Sequence, residues 1–455
     1  MQTPTLPQRS GDFTPPNREN AYLRARAAFA ARVRLPRSAP RRKNLPGEMQ
    51  TVRYLSEIAA AWRPLLAATL GMGTGMSIIG TVTSAIAPTL VADAGWAKSD
   101  FAMVGTLGLL TALAMPFIGR LADVLGVKLT ALIGIVAMPL SFLAFSLNGG
   151  SFRIYLAVFI FQSVVCVTTT ATVYTRLVVQ HVVHARGLAL AIVACGPALF
   201  SAVGGPILND YVEANGWVAT YRGLAVFVAV TGVLTVLLIP STGRSHALAA
   251  VAPKRRARDD YPEVFREPAF WILLAAMYLC NLPLTLILVQ LKMLVLDNGV
   301  TGEGASIMFT ALALGMLLGR FITGVALDRF APNVVSFFTL GLPGVGLYVL
   351  ATSYDAPAVV TAAIFSLGFA VGAEGDILAF LVARHFRARI YSSVLGLLTG
   401  ICSLAAASGA ALLSVTMART GSFNTFLVIT GTTVLAGSLL LLLLRKPLEE
   451  AEEPA

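Results

Sequence analysis

The chain has 455 residues, of which 56% are hydrophobic and 13% charged, with 40 glycines. A water-soluble domain carries about 25% charged residues, so half of the usual surface charge is missing, which excludes an ordinary soluble enzyme or nucleic-acid binder. The formal net charge of +11 sits mostly at one end: residues 1–50 hold ten Arg or Lys against three Asp or Glu, leaving +4 for the rest.

Residues 1–58 read as a basic tail. Its stretch AYLRARAAFAARVRL, residues 21–35, admits two readings, a disordered tail or a short amphipathic helix on an anionic leaflet. Met49 is an alternative start, and no cleavable signal peptide is evident, since the first uncharged apolar run begins at residue 64. From there, uncharged runs occupy 64–92, 101–119, 129–152, 154–175, 187–209, 223–243, 268–291, 304–319, 330–354, 356–373, 390–418 and 420–444. A helical crossing needs about 20 mainly apolar residues. The runs therefore predict an all-α polytopic membrane protein with twelve transmembrane helices in two six-helix bundles, 59–240 and 269–445. A hydrophilic loop, 241–268, joins the bundles, and an acidic tail, 446–455, follows. With the N-terminus inside, alternate connections hold 14 Arg or Lys on the inner side and five on the outer. That bias predicts cytoplasmic termini, and a bacterial inner membrane is the expected location.

In chain order, the first crossing carries Thr81, Thr83 and Ser84 before Pro88, and the fourth carries Gln162, a lone amide in its run. The fifth contains Gly196-Pro197 and Gly204-Gly205-Pro206, a pattern for close helix contact and flexibility. The seventh has Tyr278, Asn281 and Pro283. In the eighth, Arg320 stands eight residues before Asp328, about 12 Å deeper than the inner turn. A cation at that depth needs a polar cavity or a partner, and its planar donors suit a carboxylate. The tenth contains Glu374 and Asp376, which point about 200° apart on a regular helix and so cannot share one narrow cavity. One is expected to meet Arg320 or the substrate and take up a proton, with Glu374 the preferred choice and Asp376 the other; a purely structural pairing is the alternative.

Cys166, Cys195, Cys280 and Cys402 are scattered singly, His181 and His184 fall in an inner connection, and no Walker loop, dinucleotide fingerprint or HExxH sequence occurs. No cofactor, metal site or enzymatic chemistry is therefore expected. The anticipated partners are a small organic anion, H+ and the lipid bilayer, without nucleic acid, acting through a monomer.

Two similar turns follow the second crossing of each half: GRLADVLGVK from Gly119, and GVALDRF from Gly324. Aligning the glycines sets Asp123 opposite Asp328. With twelve crossings and a central loop, the chain resembles the major facilitator superfamily, whose Gly-x-x-x-Asp turn this is; Val124 replaces the Arg that commonly follows, while Arg329 keeps it. These carboxylates are expected to latch one conformation by facing a helix N-terminus or an inner Arg. Gly95-Trp96, the fifth-helix text and Arg320 further resemble the monocarboxylate-porter and oxalate/formate-exchanger branch, which implies a carboxylate on Arg320. Ala97-Lys98 depart from that branch's Ser-Arg, Met316 stands where animal relatives have Asp, and residues 390–418 lack the Lys of oxalate exchangers. The implied function is H+-coupled transport of an organic monocarboxylate, with Arg320, Asn281, Gln162 and Tyr278 at the substrate. The alternatives are exchange or export of an anion or drug, or a sensor without flux.

Overall fold

A computed structural model describes residues 47–96, 108–240, 257–297, 300, 302–352 and 356–444. The basic stretch at 21–35, Lys98, the basic part of the central loop and the acidic tail lie outside the described residues. The chain divides into two units, Met1–Arg53 and Tyr54–Ala455, and the second holds every crossing.

Nine helical runs among the described residues are long and apolar enough to cross a bilayer. One of them, Arg186–Leu238, turns at Gly216, where φ is 74° and ψ 171°, and so provides two crossings. Gly108–Leu125, outside those nine, adds the eleventh crossing, and Pro268–Asn281 extends through a π turn at Leu286–Gln290 and a helix at Leu291–Asp297 to make the twelfth. The crossings are thus Trp62–Ala94 (crossing 1), Gly108–Leu125 (2), Val127–Ser146 (3), Phe152–His181 (4), the parts of Arg186–Leu238 before and after Gly216 (5 and 6), 268–297 (7), Gly302–Arg329 (8), Pro332–Leu350 (9), Pro357–His385 (10), Tyr391–Thr420 (11) and Asn424–Leu441 (12). Twelve transmembrane helices in two six-helix bundles result, the all-α polytopic fold that the uncharged runs predict.

Crossings 2 and 11, and crossings 5 and 8, pair across the two bundles. The apolar cores show where the halves join. One core mixes Leu65, Tyr174 and Leu190 of the first bundle with Leu327, Phe380 and Tyr391 of the second. Two others are confined to one bundle each, around Ile86, Phe142 and Leu224 in the first and Leu294, Ile364 and Leu427 in the second. The shared core lies at the end that carries Asp123 and Asp328, the basal end. Toward the distal end the bundles have separate cores, so the cleft between them opens distally.

Four crossings are irregular at mid-height. Crossing 1 changes to a 3-10 turn at Met76–Ile78, and crossing 4 to another at Cys166–Thr169. The Met76 amide freed by the first break donates to Thr169 Oγ at 2.9 Å, so the two breaks satisfy each other, as irregular backbone at membrane depth must. Crossing 5 has a π turn at Phe200–Gly204 between Pro197 and Pro206, and crossing 7 has its π turn just after Pro283.

Glycines fix the pairing of crossings 8 and 10. A Cβ on Gly315 or Gly319 would collide with the backbone at Phe365 or Phe369, and one on Gly368 or Gly372 with the carbonyls of Leu312 or Met316. Two Gly-x-x-x-Gly faces therefore lie backbone against backbone, the approach that small residues allow in a bilayer. Gly375, three residues on, meets nothing within 4 Å of such a Cβ.

Two segments read as connections contain helix. Gly47–Ala60 runs across the expected tail boundary at residue 58, and Ala257–Arg266 lies within the expected central loop. Both carry acidic residues whose partners are described below.

Alanine at Gly372 should lower the thermal midpoint in detergent, through overpacking of about 1–3 kcal/mol that outweighs the helix-propensity gain of about 1 kcal/mol. Alanine at Gly375 should hold or raise it. Thermal unfolding of the two purified variants beside the parent checks the contrast.

Candidate functional site

The glycine contact between crossings 8 and 10 has a direct electrostatic consequence. Arg320 follows Gly319, Asp376 lies one turn after Gly372, and the two charged groups are brought within electrostatic range of one another. Asp376 is 5% exposed, and its Oδ2 has no hydrogen-bond partner among the described residues. The Arg320 guanidinium donates to the Ala194 carbonyl of crossing 5, so its hydrogen bond passes from one bundle to the other. No carboxylate oxygen among the described residues comes within 4.0 Å of it.

Glu374 looks elsewhere. It faces Asn281 of crossing 7 and Cys402 of crossing 11, beside Cys280, and borders a small crevice inside the second bundle with Pro283, Leu340 and Val371. The 200° offset expected between the two carboxylates is realised as one on the seam between bundles and one within a bundle. It is Asp376, not Glu374, that neighbours Arg320.

The remaining sequence candidates divide in the same way. Gln162 is 1% exposed and donates to Ser141 Oγ of crossing 3 at 2.8 Å, which turns it into the first bundle and away from Arg320. Asn281 is buried, donating to Met277 O at 2.9 Å in its own helix. Tyr278 is half-buried one turn earlier on the same crossing. Gly196 packs against Thr69 and Gly73, fixing crossing 5 on crossing 1, while Gly204 ends the π turn and Gly205 lies against Thr81. Pro197 sits within crossing 5 just before that turn. Trp96 donates to Gly150 O at 2.8 Å and packs edge-on against Phe152 and Tyr155, tying the distal end of crossing 1 to the turn between crossings 3 and 4.

Below Arg320 the basal end is closed by two related constructions. Asp123 accepts from the Ser392 and Ser393 amides at 3.1 and 2.6 Å and from Ser393 Oγ at 2.6 Å, at the N-terminus of crossing 11, and pairs with Arg176 of crossing 4. Asp328 accepts from the Gly187 and Leu188 amides at 2.7 and 3.1 Å, at the N-terminus of crossing 5. Each carboxylate thus meets the unpaired amides and positive dipole of a helix in the opposite bundle. The glycine four residues before each permits the approach: a Cβ on Gly119 would strike the Ser392 carbonyl, and one on Gly324 the Gly187 backbone. Arg329 ends crossing 8 exposed beside Asp328.

Each seam is also crossed by a peripheral helix. Over residues 54–60, Tyr54 donates to Asp328 at 2.8 Å, and Glu57 accepts from the amides of Val183, His184 and Ala185 at 2.8, 2.9 and 3.0 Å. Along Ala257–Arg266, Asp260 pairs with Arg120 at 2.6 Å and with Arg389 at 3.5 Å, and Glu263 pairs with Arg389 at 2.8 Å. In the sequence Arg120, Arg176 and Arg389 register only within the inner-side charge bias. An acidic i, i+3 pair in an otherwise basic loop was the available sign of a bridging helix.

Residues 65–291 match the family model of the Major Facilitator Superfamily. Among solved structures, the Escherichia coli fucose:proton symporter superposes with a TM-score of 0.65 at 13% identity, covering 85% of this chain and 98% of that one. The human organic anion transporter MFSD10 gives 0.59 at 16% identity, covering 87% and 100%. A proton:xylose symporter gives 0.61 at 12% identity, covering 86% and 95%. No curated protein matches. At these identities the structural likeness carries the fold. The matched stretch and the fold together describe a multi-pass membrane transporter with the major facilitator fold, not an enzyme. Its class of work is to carry a small molecule across a membrane.

Burial alone would raise the Glu57 carboxyl, but the three backbone N–H donors hold it below its ordinary value of 4.5. A depressed folded value contributes stability above pH 4.5 and loses it as pH falls through the folded value. Replacing Glu57 by Gln should therefore flatten the acid-side fall of the thermal midpoint below that pH. An identical acid profile in parent and variant would contradict the assignment.

Proposed function

We propose that the protein moves an organic monocarboxylate by alternating access, coupled to H+, with Arg320 receiving the carboxylate and Asp376 taking the proton. The observation that supports this is the juxtaposition of a guanidinium and a buried, unpartnered carboxylate oxygen at the floor of a distally open cleft. An ionised Asp376 opposes a second anion at Arg320, whereas a protonated one accepts it and offers an O–H donor. Proton and substrate are then taken up together. Glu374, facing Asn281 and Cys402, organises the second bundle in this reading, with Asn281 beside it rather than at the substrate.

Arg320 also supplies a link between binding and movement. Its hydrogen bond to Ala194 holds crossing 8 to crossing 5. A carboxylate that takes over these donors removes that tie and weakens the basal closure, which is the differential interaction that a population shift requires. Asp123 and Asp328 act as the latches of the basally closed state. The 14-to-five bias of basic residues supports a basal end that faces the cytoplasm, with a bacterial inner membrane as the expected location, and one chain supplies both halves of the site.

Purified protein in liposomes, offered labelled monocarboxylates under separately imposed pH and voltage gradients, tests the reading. Acid outside should drive accumulation. Arg320→Gln should reduce uptake by about 10- to 100-fold, the worth of a charge-assisted hydrogen bond, with protein still in the membrane. Asp376→Asn should retain exchange of substrate but lose the response to the pH gradient; uptake indifferent to pH in the parent would overturn proton coupling. For the latch, Asp123→Asn should lower turnover more than it lowers substrate binding, and unchanged turnover would defeat that role.

A further inference from the structure

The part of the cleft distal to Arg320 has a second chemical feature. Crossing 1 exposes no large apolar side chain beyond Leu66, whereas crossing 3 exposes Leu129, Leu132, Val136, Leu140 and Leu143. Between Leu66 and Leu90 the exposed residues of crossing 1 are instead Ser77, Gly80, Ser84 and Pro88, spaced along one helical face. A face in lipid carries the apolar pattern of crossing 3, so the small polar face of crossing 1 lines the aqueous cleft. On that side Thr81 Oγ and Ser201 Oγ of crossing 5 are hydrogen-bonded at 2.9 Å, with Ser201 exposed. The neighbouring Gly80 leaves open space, since a Cβ there meets nothing within 4 Å.

Ser201 is seven residues beyond Ala194, whose carbonyl receives Arg320. Seven residues are two helical turns, which return to the same face about 10 Å further along the helix. Crossing 5 turns this face toward crossing 8 at Gly187 and Ala194, while its large exposed residues, Leu199 and Val203, fall on another face. The hydroxyl pair therefore stands in the cleft about 10 Å distal to the guanidinium, and Gly375, the exposed residue beside Asp376, leaves room at the near end.

We infer that Thr81 and Ser201 form a polar subsite that selects acids bearing a hydroxyl or carbonyl at the end remote from the carboxylate. This rests on the reading of Arg320 as the carboxylate receptor. Subtracting a hydrogen bond of about 2.8 Å at each end leaves a substrate span of about 5 Å, which suits a para-substituted benzene ring or a short ω-hydroxy chain. An unsubstituted acid of the same length leaves the two hydroxyls paired only with each other. Sites built to hydrogen-bond a substrate hydroxyl discriminate strongly against analogues that lack it.

The test is competition and direct flux in proteoliposomes with matched pairs: 4-hydroxybenzoate against benzoate, and 4-hydroxybutyrate against butyrate. The parent should prefer the hydroxylated member of at least one pair by about 10-fold or more, the worth of one hydrogen bond to a polar group plus desolvation. In the Thr81→Val, Ser201→Ala double variant that ratio should fall toward one, while Thr81→Ser, which keeps the hydroxyl, should retain it. Each variant is compared as a monodisperse protein at equal incorporation, and the readout is a ratio within one preparation, so loss of folded protein does not imitate the result. Transport of both members at equal rates by the parent, or an undiminished ratio in the double variant, overturns the subsite and leaves the role of Arg320 standing. Flux of these acids that is undiminished in Arg320→Gln overturns the carboxylate reading and the subsite with it.

Discussion

The close contact of crossings 8 and 10 is the constraint on which the site depends. Four glycines remove the side chains that would hold the helices apart, and the backbones meet along two turns. Without that approach Arg320 would be a cation at membrane depth with only a carbonyl beside it, and Asp376 a carboxylate withdrawn from water with no opposite charge in range. Both arrangements are costly. The packing therefore makes two unfavourable burials tolerable by making them neighbours, and a ligand that adds or removes one charge there changes the balance sharply. The packing of the two helices and the placing of the two charges rest on the same four residues.

Closure at the basal end follows a different logic. Each seam joins the front of a helix in one bundle to a carboxylate in the other, with a glycine allowing the fit and a surface helix laid across the outside. The repeated design reflects the two halves' similar turns, GRLAD and GVALD. It places many polar contacts where the bundles also share an apolar core, so the closed end is held by both kinds of interaction. At the distal end the apolar cores of the described residues stay within one bundle each.

Much of this was legible in the chain. Twelve uncharged runs give twelve crossings because a bilayer enforces length and apolarity together. The paired Gly-x-x-x-Asp turns mark the seams, and the single Arg in a charge-free run marks the candidate site. The direction of a side chain was harder to read. Helical geometry separates Glu374 from Asp376, but which one meets Arg320 depends on the register of crossing 10 against crossing 8, and glycine contacts set that register. Gln162 illustrates the opposite error, since a lone amide in an apolar run finds a buried serine partner as readily as a cavity. The helices at Gly47–Ala60 and Ala257–Arg266 lie in polar sequence without a long apolar face, and their bridging contacts join residues more than 100 positions apart.

The two basal seams are built alike but not of equal chemistry. Asp123 is met by a buried guanidinium as well as by amides, whereas the hydrogen-bonding partners of Asp328 among the described residues are two amides and a phenol. That ion pair joins crossings 2 and 4, inside the first bundle, so parting the bundles leaves it intact and takes from Asp123 only its bonds to Ser392 and Ser393. The hydrogen-bonding partners of Asp328 all lie outside the second bundle and would be lost together. A parted basal end would thus keep one carboxylate paired with its cation and present the other to water.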